Sequence, residues 1–203
     1  MNGVHIKQLS DYKSMPWKNG LGNTLEITCC RDENGQRFRI SQAKVIKDGY
    51  FSDFTGQHRT LVLLSGNGMK LEHKNSSSWL KSLSSIAYFS GEDKTYATLF
   101  NGPIEDLNIM VRESDTSAQV TKISSPQSIH LTNTKNSLLN IFYAFTPCTL
   151  AIPQVTKEKA IINCPAQSSI FFYIDSTTQN KEFELVDGAG LFIEVIDTDN
   201  LLS

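Results

Sequence analysis

Between Met15 and Ile27 the chain reads Met-Pro-Trp-Lys-Asn-Gly-Leu-Gly-Asn-Thr-Leu-Glu-Ile, its densest run of chemically useful side chains. Lys18 offers a point charge to an anion, and Asn19 a donor and an acceptor. Glu26 offers a carboxylate that can act as a base or hold a cation in place. Gly20 and Gly22 admit backbone conformations closed to residues with a Cβ and let another group approach the main chain. From Thr24 the pattern alternates, with Thr24, Glu26 and Thr28 on one face and Leu25 and Ile27 on the other, which predicts a strand. A glycine-rich turn entering a strand with a solvated polar face requires the same residues, so both readings stand on this stretch alone.

Three further segments add candidates. Residues 37–45 alternate, with Phe38, Ile40, Gln42 and Lys44 on one face and Arg37, Arg39, Ser41, Ala43 and Val45 on the other. The small polar surface around Arg39 and Ser41 suits either the lining of a cavity or an exposed sheet face. Arg59 stands between a loop containing Phe51 and Phe54 and the apolar run Thr60–Leu64. A permanent cation beside a buried run is costly unless it is paired or solvated. Its guanidinium is suited to two-bond recognition of a carboxylate; an ion pair with Glu26, or an exposed strand start, is the competing role. Asn108 can donate and accept toward a ligand or tie down a turn. Phe51 is the aromatic best placed to touch a ligand, Trp17 and Phe54 suit packing, and Met110 reads as core.

Short alternating or apolar segments bounded by Gly, Asn, Asp and Pro recur along the whole chain, and no amphipathic helix of three turns is evident. This predicts an all-β fold, a sandwich or barrel. The expected strands are 5–10, 24–30, 37–45, 60–64, 69–73, 87–91, 96–100, 104–112, 118–124, 137–145, 149–153, 159–163, 169–174, 183–185 and 191–196. Thr60–Leu64 and Met69–His73 are expected to form a hairpin through Ser65–Gly68, and Lys74–Ser78 a loop. The apolar segments 61–71 and 137–152 are each followed at a comparable distance by another strand, a faint internal duplication.

The 203 residues suit one large domain or two small fused ones, and 39% hydrophobic with 20% charged residues places the chain clear of disorder. A net charge of −2 gives no basic excess for nucleic-acid backbones. No long apolar segment follows a basic one near Met1–Ile6, so neither a signal peptide nor a membrane partner is expected, and a cytoplasmic setting follows. Cys29, Cys30, Cys148 and Cys164 form no CxxC pair and read as reduced thiols. His5, His58, His73 and His130 are scattered rather than spaced as ligands, so no metal is expected. Phosphate-loop, dinucleotide-binding and nucleophile-elbow motifs are missing, and no cofactor is expected. A homodimer is compatible with this composition.

Four blocks together resemble one family: Met15–Ile27, Phe38–Ala43, Gly49–Arg59 and Asp106–Arg112. In order and spacing, across about residues 5–125, they are similar to the HutD/Ves family, bacterial proteins associated with histidine utilisation or, in the Ves branch, environmental stress. The resemblance implies a bicupin: two antiparallel β-barrel halves, about 1–105 and 106–203. It implies a small-molecule pocket in the first half and no cupin metal set. It further implies a small anionic metabolite as partner, urocanate or N-formylglutamate foremost, with a regulatory role; a metal-independent isomerase or hydrolase using Glu26 as base is the competing activity. With the resemblance, Arg59 is favoured as the ligand clamp, supported by Lys18, Asn19, Glu26, Arg39, Ser41, Phe51 and Asn108. Two positions depart from the family pattern. His58 stands where an acidic residue is usual, which would make the pocket mouth less negative and titratable near neutrality. Leu21 stands where the family usually has Gly.

Overall fold

The computed structural model describes residues 3–17, 22–131, 136–153, 159–173 and 182–199. Lys18, Asn19, Gly20 and Leu21 lie outside the described residues. Among those described, nineteen strands and one 3-10 turn, Leu9–Asp11, make up the regular structure. No helix among them is long and apolar enough to cross a membrane. The chain divides into two compact units, Tyr12–Ser117 and Met1–Asp11 with Ala118–Ser203. The division therefore falls after residue 117, not near 105. Ile104–Arg112, expected to open the second half, lies inside the first.

After β1 (Val4–Lys7), the first unit holds β2 (Lys13–Pro16), β3 (Gly22–Asp32), β4 (Gly35–Val45), β5 (Gly49–Tyr50), β6 (Gln57–Ser65), β7 (Met69–Glu72), β8 (Ser77–Leu80), β9 (Ile86–Ser90), β10 (Tyr96–Leu99) and β11 (Ile104–Arg112). They form a six-stranded sheet, β2-β3-β4-β11-β6-β9, and a four-stranded one, β5-β10-β7-β8. β11 pairs antiparallel with both β4 and β6, which is why it belongs with them. The expected 60–73 hairpin does not form. β6 and β7 lie in different sheets, so Ser65–Gly68 carries the chain from one sheet to the other. The expected loop at 74–78 is partly strand, because Ser77–Leu80 pairs with β7. The strand expected at 5–10 is shorter and gives way to the 3-10 turn.

The second unit holds β1 with β12 (Thr116–Ser124), β13 (Gln127–His130), β14 (Ser137–Ala144), β15 (Cys148–Pro153), β16 (Lys159–Cys164), β17 (Ser169–Phe172), β18 (Glu182–Asp187) and β19 (Ala189–Asp197). Its sheets run β1-β17-β14-β19-β12 and β13-β18-β15-β16. Adding eight to each strand number turns β4-β11-β6-β9 into β12-β19-β14-β17, and β5-β10-β7-β8 into β13-β18-β15-β16. The faint duplication in sequence is thus a full repeat of eight-strand topology. β2 and β3 are additions to the first copy, and β1 to the second.

The two copies are filled differently. In the second unit Phe183 packs against Phe142, Phe172 and Phe192, with ring centroids 5.9, 4.6 and 5.8 Å away. In the first, Leu61, Leu63, Met69, Leu71, Leu80 and Ile104 are fully or almost fully buried and form one cluster. Phe89 of the same cluster, and Phe51 packed against it, carry the apolar filling up to Arg59.

The segment linking β5 to β6 is held to the main chain on both sides. Phe51 N donates to Thr95 O at 2.9 Å, Phe54 N to Gly91 O at 2.9 Å, and Gly91 N to Gln57 O at 2.6 Å. A Cβ on Gly91 would lie 2.2 Å from Phe54 O and 2.7 Å from Gln57 O, both backbone atoms that cannot swing away. On the outer strand β8, Trp79 is 53% exposed. It stacks on Phe100 and carries Lys70 Nζ and Lys81 Nζ at 5.3 and 4.8 Å from its ring.

Gly91→Ala is expected to destabilise the protein by about 2–3 kcal/mol, the scale of overpacking against atoms that cannot relax. Urea unfolding of the two proteins measures this. A change under about 0.5 kcal/mol, the size of an ordinary surface substitution, would show that the segment is not anchored there.

Candidate functional site

The interior face of the six-stranded sheet is set by register. Arg39 on β4, Met110 on β11 and Arg59 on β6 lie side by side, and Ser41, Asn108 and Leu61 form the next row. Because strand side chains alternate, Asp106, Asn108 and Met110 share one face of β11, roughly 6.8 Å apart per step. These residues, with Met15, Trp17, Thr24, Tyr50, Phe51 and Phe54 among the other walls, line a cavity of about 510 Å³. That volume suits a small metabolite. Trp17 is fixed in the wall by its indole Nε1, which donates to Thr24 Oγ1 at 2.8 Å. A Cβ on Gly22 would come within 2.8 Å of the same ring, so β3 must begin without a side chain there.

Arg59 is 4% exposed. Its guanidinium carbon lies 4.9 Å from the Phe51 ring, 5.2 Å from Phe54 and 4.9 Å from Phe89. Such contacts help hold a desolvated cation. Nε has no hydrogen-bond partner among the described residues. Burial lowers its pKa to about 10, against the opposing pull of Asp106. The competing role of a Glu26 ion pair is not seen. Glu26 Oε2 instead lies 3.0 Å from Arg39 Nε, and Glu26 is not among the residues lining the cavity. The Arg39 contact is an ion pair rather than a hydrogen bond, since Nε finds no hydrogen-bond partner among the described residues. Arg39 Nη2 also reaches Met15 Sδ at 4.0 Å.

Of the expected site residues, the structure thus brings Arg39, Ser41, Phe51, Arg59 and Asn108 to one cavity and leaves Glu26 behind Arg39. Lys18 and Asn19 fall outside the described residues. Met110 is both buried and part of the wall. His58 does not sit at the mouth. On β6 it alternates to the face opposite Arg59, where its ring stacks on Tyr88 with centroids 6.5 Å apart. Arg112, which closes the fourth sequence block, is structural: Nη1 and Nη2 each donate to Asp32 at 2.7 Å, and Nη2 also donates to Asp115. Among the described residues no three His, Cys, Asp or Glu side chains are grouped as a metal ion would need.

Asp106 is the site residue that sequence reading passed over. It is 2% exposed, and its Oδ1 has no hydrogen-bond partner among the described residues, nor does Asn108 Oδ1. Burial pushes the Asp106 pKa up to about 7, with Arg59 pulling it down and Glu105 adding to the rise. The available signal was its place in the alternation of 104–112, on the face of Asn108 and Met110.

The sign of the resulting pH effect is fixed. An acid whose folded pKa exceeds its unfolded value binds more protons when folded, so its penalty on stability is small below about 4 and full above about 7. Asp106→Asn should therefore gain stability relative to the wild type as pH rises from 5 to 8, by as much as about 1.4 kcal/mol per pH unit below the folded pKa. Urea unfolding at the two pH values reads this difference, and parallel pH profiles for the two proteins would refute it.

Comparison with known proteins agrees with this architecture. The family profile described as HutD matches residues 9–179. An uncharacterized 21.2 kDa protein in the hutC 3′ region of Pseudomonas putida is 36% identical over 112 residues, covering 54% of this chain and 59% of that protein. Protein Ves of Escherichia fergusonii is 39% identical over 117 residues, covering 54% of this chain and 60% of its own length. The matched segment thus spans about three-fifths of these curated relatives. HutD from Pseudomonas fluorescens SBW25 superposes with a TM-score of 0.77 at 23% identity, covering 96% of this chain and 98% of that one. A cupin 2 conserved barrel domain protein from Leptotrichia buccalis does so at 0.55 and 8% identity, covering 97% and 98%. The structural likenesses show a cupin-like all-β fold, and the extent of the profile match shows that the chain belongs to the HutD family.

Proposed function

We propose that the chain is a bicupin whose first half binds a small carboxylate-bearing metabolite in the Arg59 cavity. We place it in the cytoplasm, with a regulatory part in histidine utilisation. The observation that carries the binding role is Arg59 itself: a buried guanidinium on three phenylalanine rings, with no carboxylate at ion-pair distance among the described residues. Desolvating a cation without a partner is expensive, and a ligand carboxylate would supply the missing partner. The link to histidine utilisation rests on the family and on the hutC 3′ region in which the Pseudomonas putida relative lies. Urocanate and N-formylglutamate are the first ligands to try. The isomerase or hydrolase alternative is disfavoured, because its proposed base, Glu26, is engaged with Arg39 and does not line the cavity.

Titration calorimetry with urocanate, N-formylglutamate and glutamate tests this. A charge-assisted hydrogen bond contributes on the order of 1.5–3 kcal/mol. Arg59→Ala should therefore weaken binding roughly ten- to a hundredfold. Arg59→Lys should recover only part, since an ammonium cannot make the planar two-bond contact. Undiminished affinity in folded Arg59→Ala protein would remove Arg59 from the site.

A further inference from the structure

Four buried side-chain atoms without a hydrogen-bond partner among the described residues belong to residues lining this one cavity: Arg39 Nε, which already has Glu26 Oε2 at 3.0 Å as its ion-pair partner, Arg59 Nε, Asp106 Oδ1 and Asn108 Oδ1. Two are donors and two are acceptors. A simple carboxylate supplies acceptors and would answer only the arginines. It would leave Asn108 Oδ1 unmatched, and Asp106 Oδ1 with it whenever that carboxyl is ionised, the state in which Asp106 would also repel it. Buried polar atoms are kept at a cost in stability when they have no partner, so a pair of them in a ligand-sized cavity points to a group on the ligand. Resting on the carboxylate-binding reading above, we infer that Asp106 and Asn108 make the cavity selective for acids that also carry an N–H donor, such as an amide or azole N–H. Acids of the same shape without that donor are rejected.

The layout supports the division of labour. Arg59 lies in the register row of Met110, whereas Asp106 lies two same-face steps further along β11, with Asn108 between. At roughly 6.8 Å per step, Arg59 and Asp106 start from backbone positions about 14 Å apart, so anion-binding and donor-reading groups enter the cavity from different rows of the sheet. Tyr50, Phe51 and Trp17 supply apolar wall for its body. Rejection of the wrong ligand follows from the chemistry. A site built to accept a ligand N–H leaves its own acceptors buried and unpaired, or facing an oxygen lone pair, when the donor is missing. Asp106 and Asn108 are positioned to determine specificity, and Arg59 affinity.

Matched amide and ester acids isolate the N–H. N-acetylglycine and acetoxyacetate differ by one N–H replaced by O, as do N-benzoylglycine and benzoyloxyacetate. Titration calorimetry on the folded wild type should show each amide binding at least tenfold more tightly than its ester. The preference should drop in Asp106→Leu, fall within twofold when Asp106→Leu and Asn108→Leu are combined, and be partly retained in Asp106→Asn, which keeps an acceptor. Arg59→Ala should weaken amide and ester alike, leaving their ratio in place. Two results overturn the inference while leaving carboxylate binding intact: amide and ester binding equally well to the wild type through Arg59, or a preference unchanged in Asp106→Leu. Binding of none of these acids, nor of urocanate, N-formylglutamate or glutamate, would overturn the carboxylate reading and the inference with it.

Discussion

Burying the Arg59 charge is the constraint around which the first unit is built. A guanidinium cannot shed its proton at any ordinary pH, so its surroundings must adapt to it. Three phenylalanine rings close round it, and two of them, Phe51 and Phe54, come from the segment between β5 and β6. That segment has almost no strand pairing of its own, which is why its main chain is tied to Thr95, Gly91 and Gln57. Phe89 comes from the outer strand β9 and sits directly beside Arg59 in register. The rings exclude water without neutralising the charge. Among the described residues it is the field of Asp106 that favours the charge, and Asp106 is itself held back from ionising by the same dryness.

The repeated topology shows what such an arrangement displaces. In the second unit the interior is occupied by Phe142, Phe172, Phe183 and Phe192, and neighbouring Ile170 is fully buried. The first unit keeps the same strand order but turns phenylalanines toward a cation at one end of its interior. Two strands, β2 and β3, extend its sheet beyond β4. They bring Met15, Trp17 and Thr24, so the extra strands of the first copy supply part of the cavity wall. One architecture thus serves as packed core in one unit and as a lined cavity in the other.

Much of this was legible from residue order. Period-two alternation over 37–45 put Arg39 and Ser41 on a shared face, and the structure has that face inward. The blocks around Gly22, Arg59 and Asn108 converge because adjacent strands place them in neighbouring rows. What stayed hidden depended on contacts distant in sequence. The hairpin expected from 60 to 73 failed because β7 finds its partners in β8 and β10, which local pattern cannot reveal. An ion pair of Glu26 with Arg59 stood only as the competing role of that arginine, and the register, with a bulge between Glu26 and Thr28, instead sets Glu26 beside Ser41 and so near Arg39. Asp106 was overlooked because an acid next to Glu105 in sequence reads as part of a solvated stretch until its burial is seen.

Trp79 illustrates a separate requirement of open sheets. β8 is the last strand of its sheet, so one side of its backbone has no neighbour in that sheet, and unpaired strand edges can template pairing with another chain. A large exposed ring there would add apolar attraction to that hazard. Lys81 lies over the ring, and Lys70 does so while its ammonium also donates to Glu72 Oε1 at 2.7 Å, so the exposed ring is flanked by strongly hydrated groups. Charged groups on an outer strand are among the ways natural sheets blunt an open edge, and here they gather around the exposed ring of β8, the strand whose missing neighbour leaves one side wet.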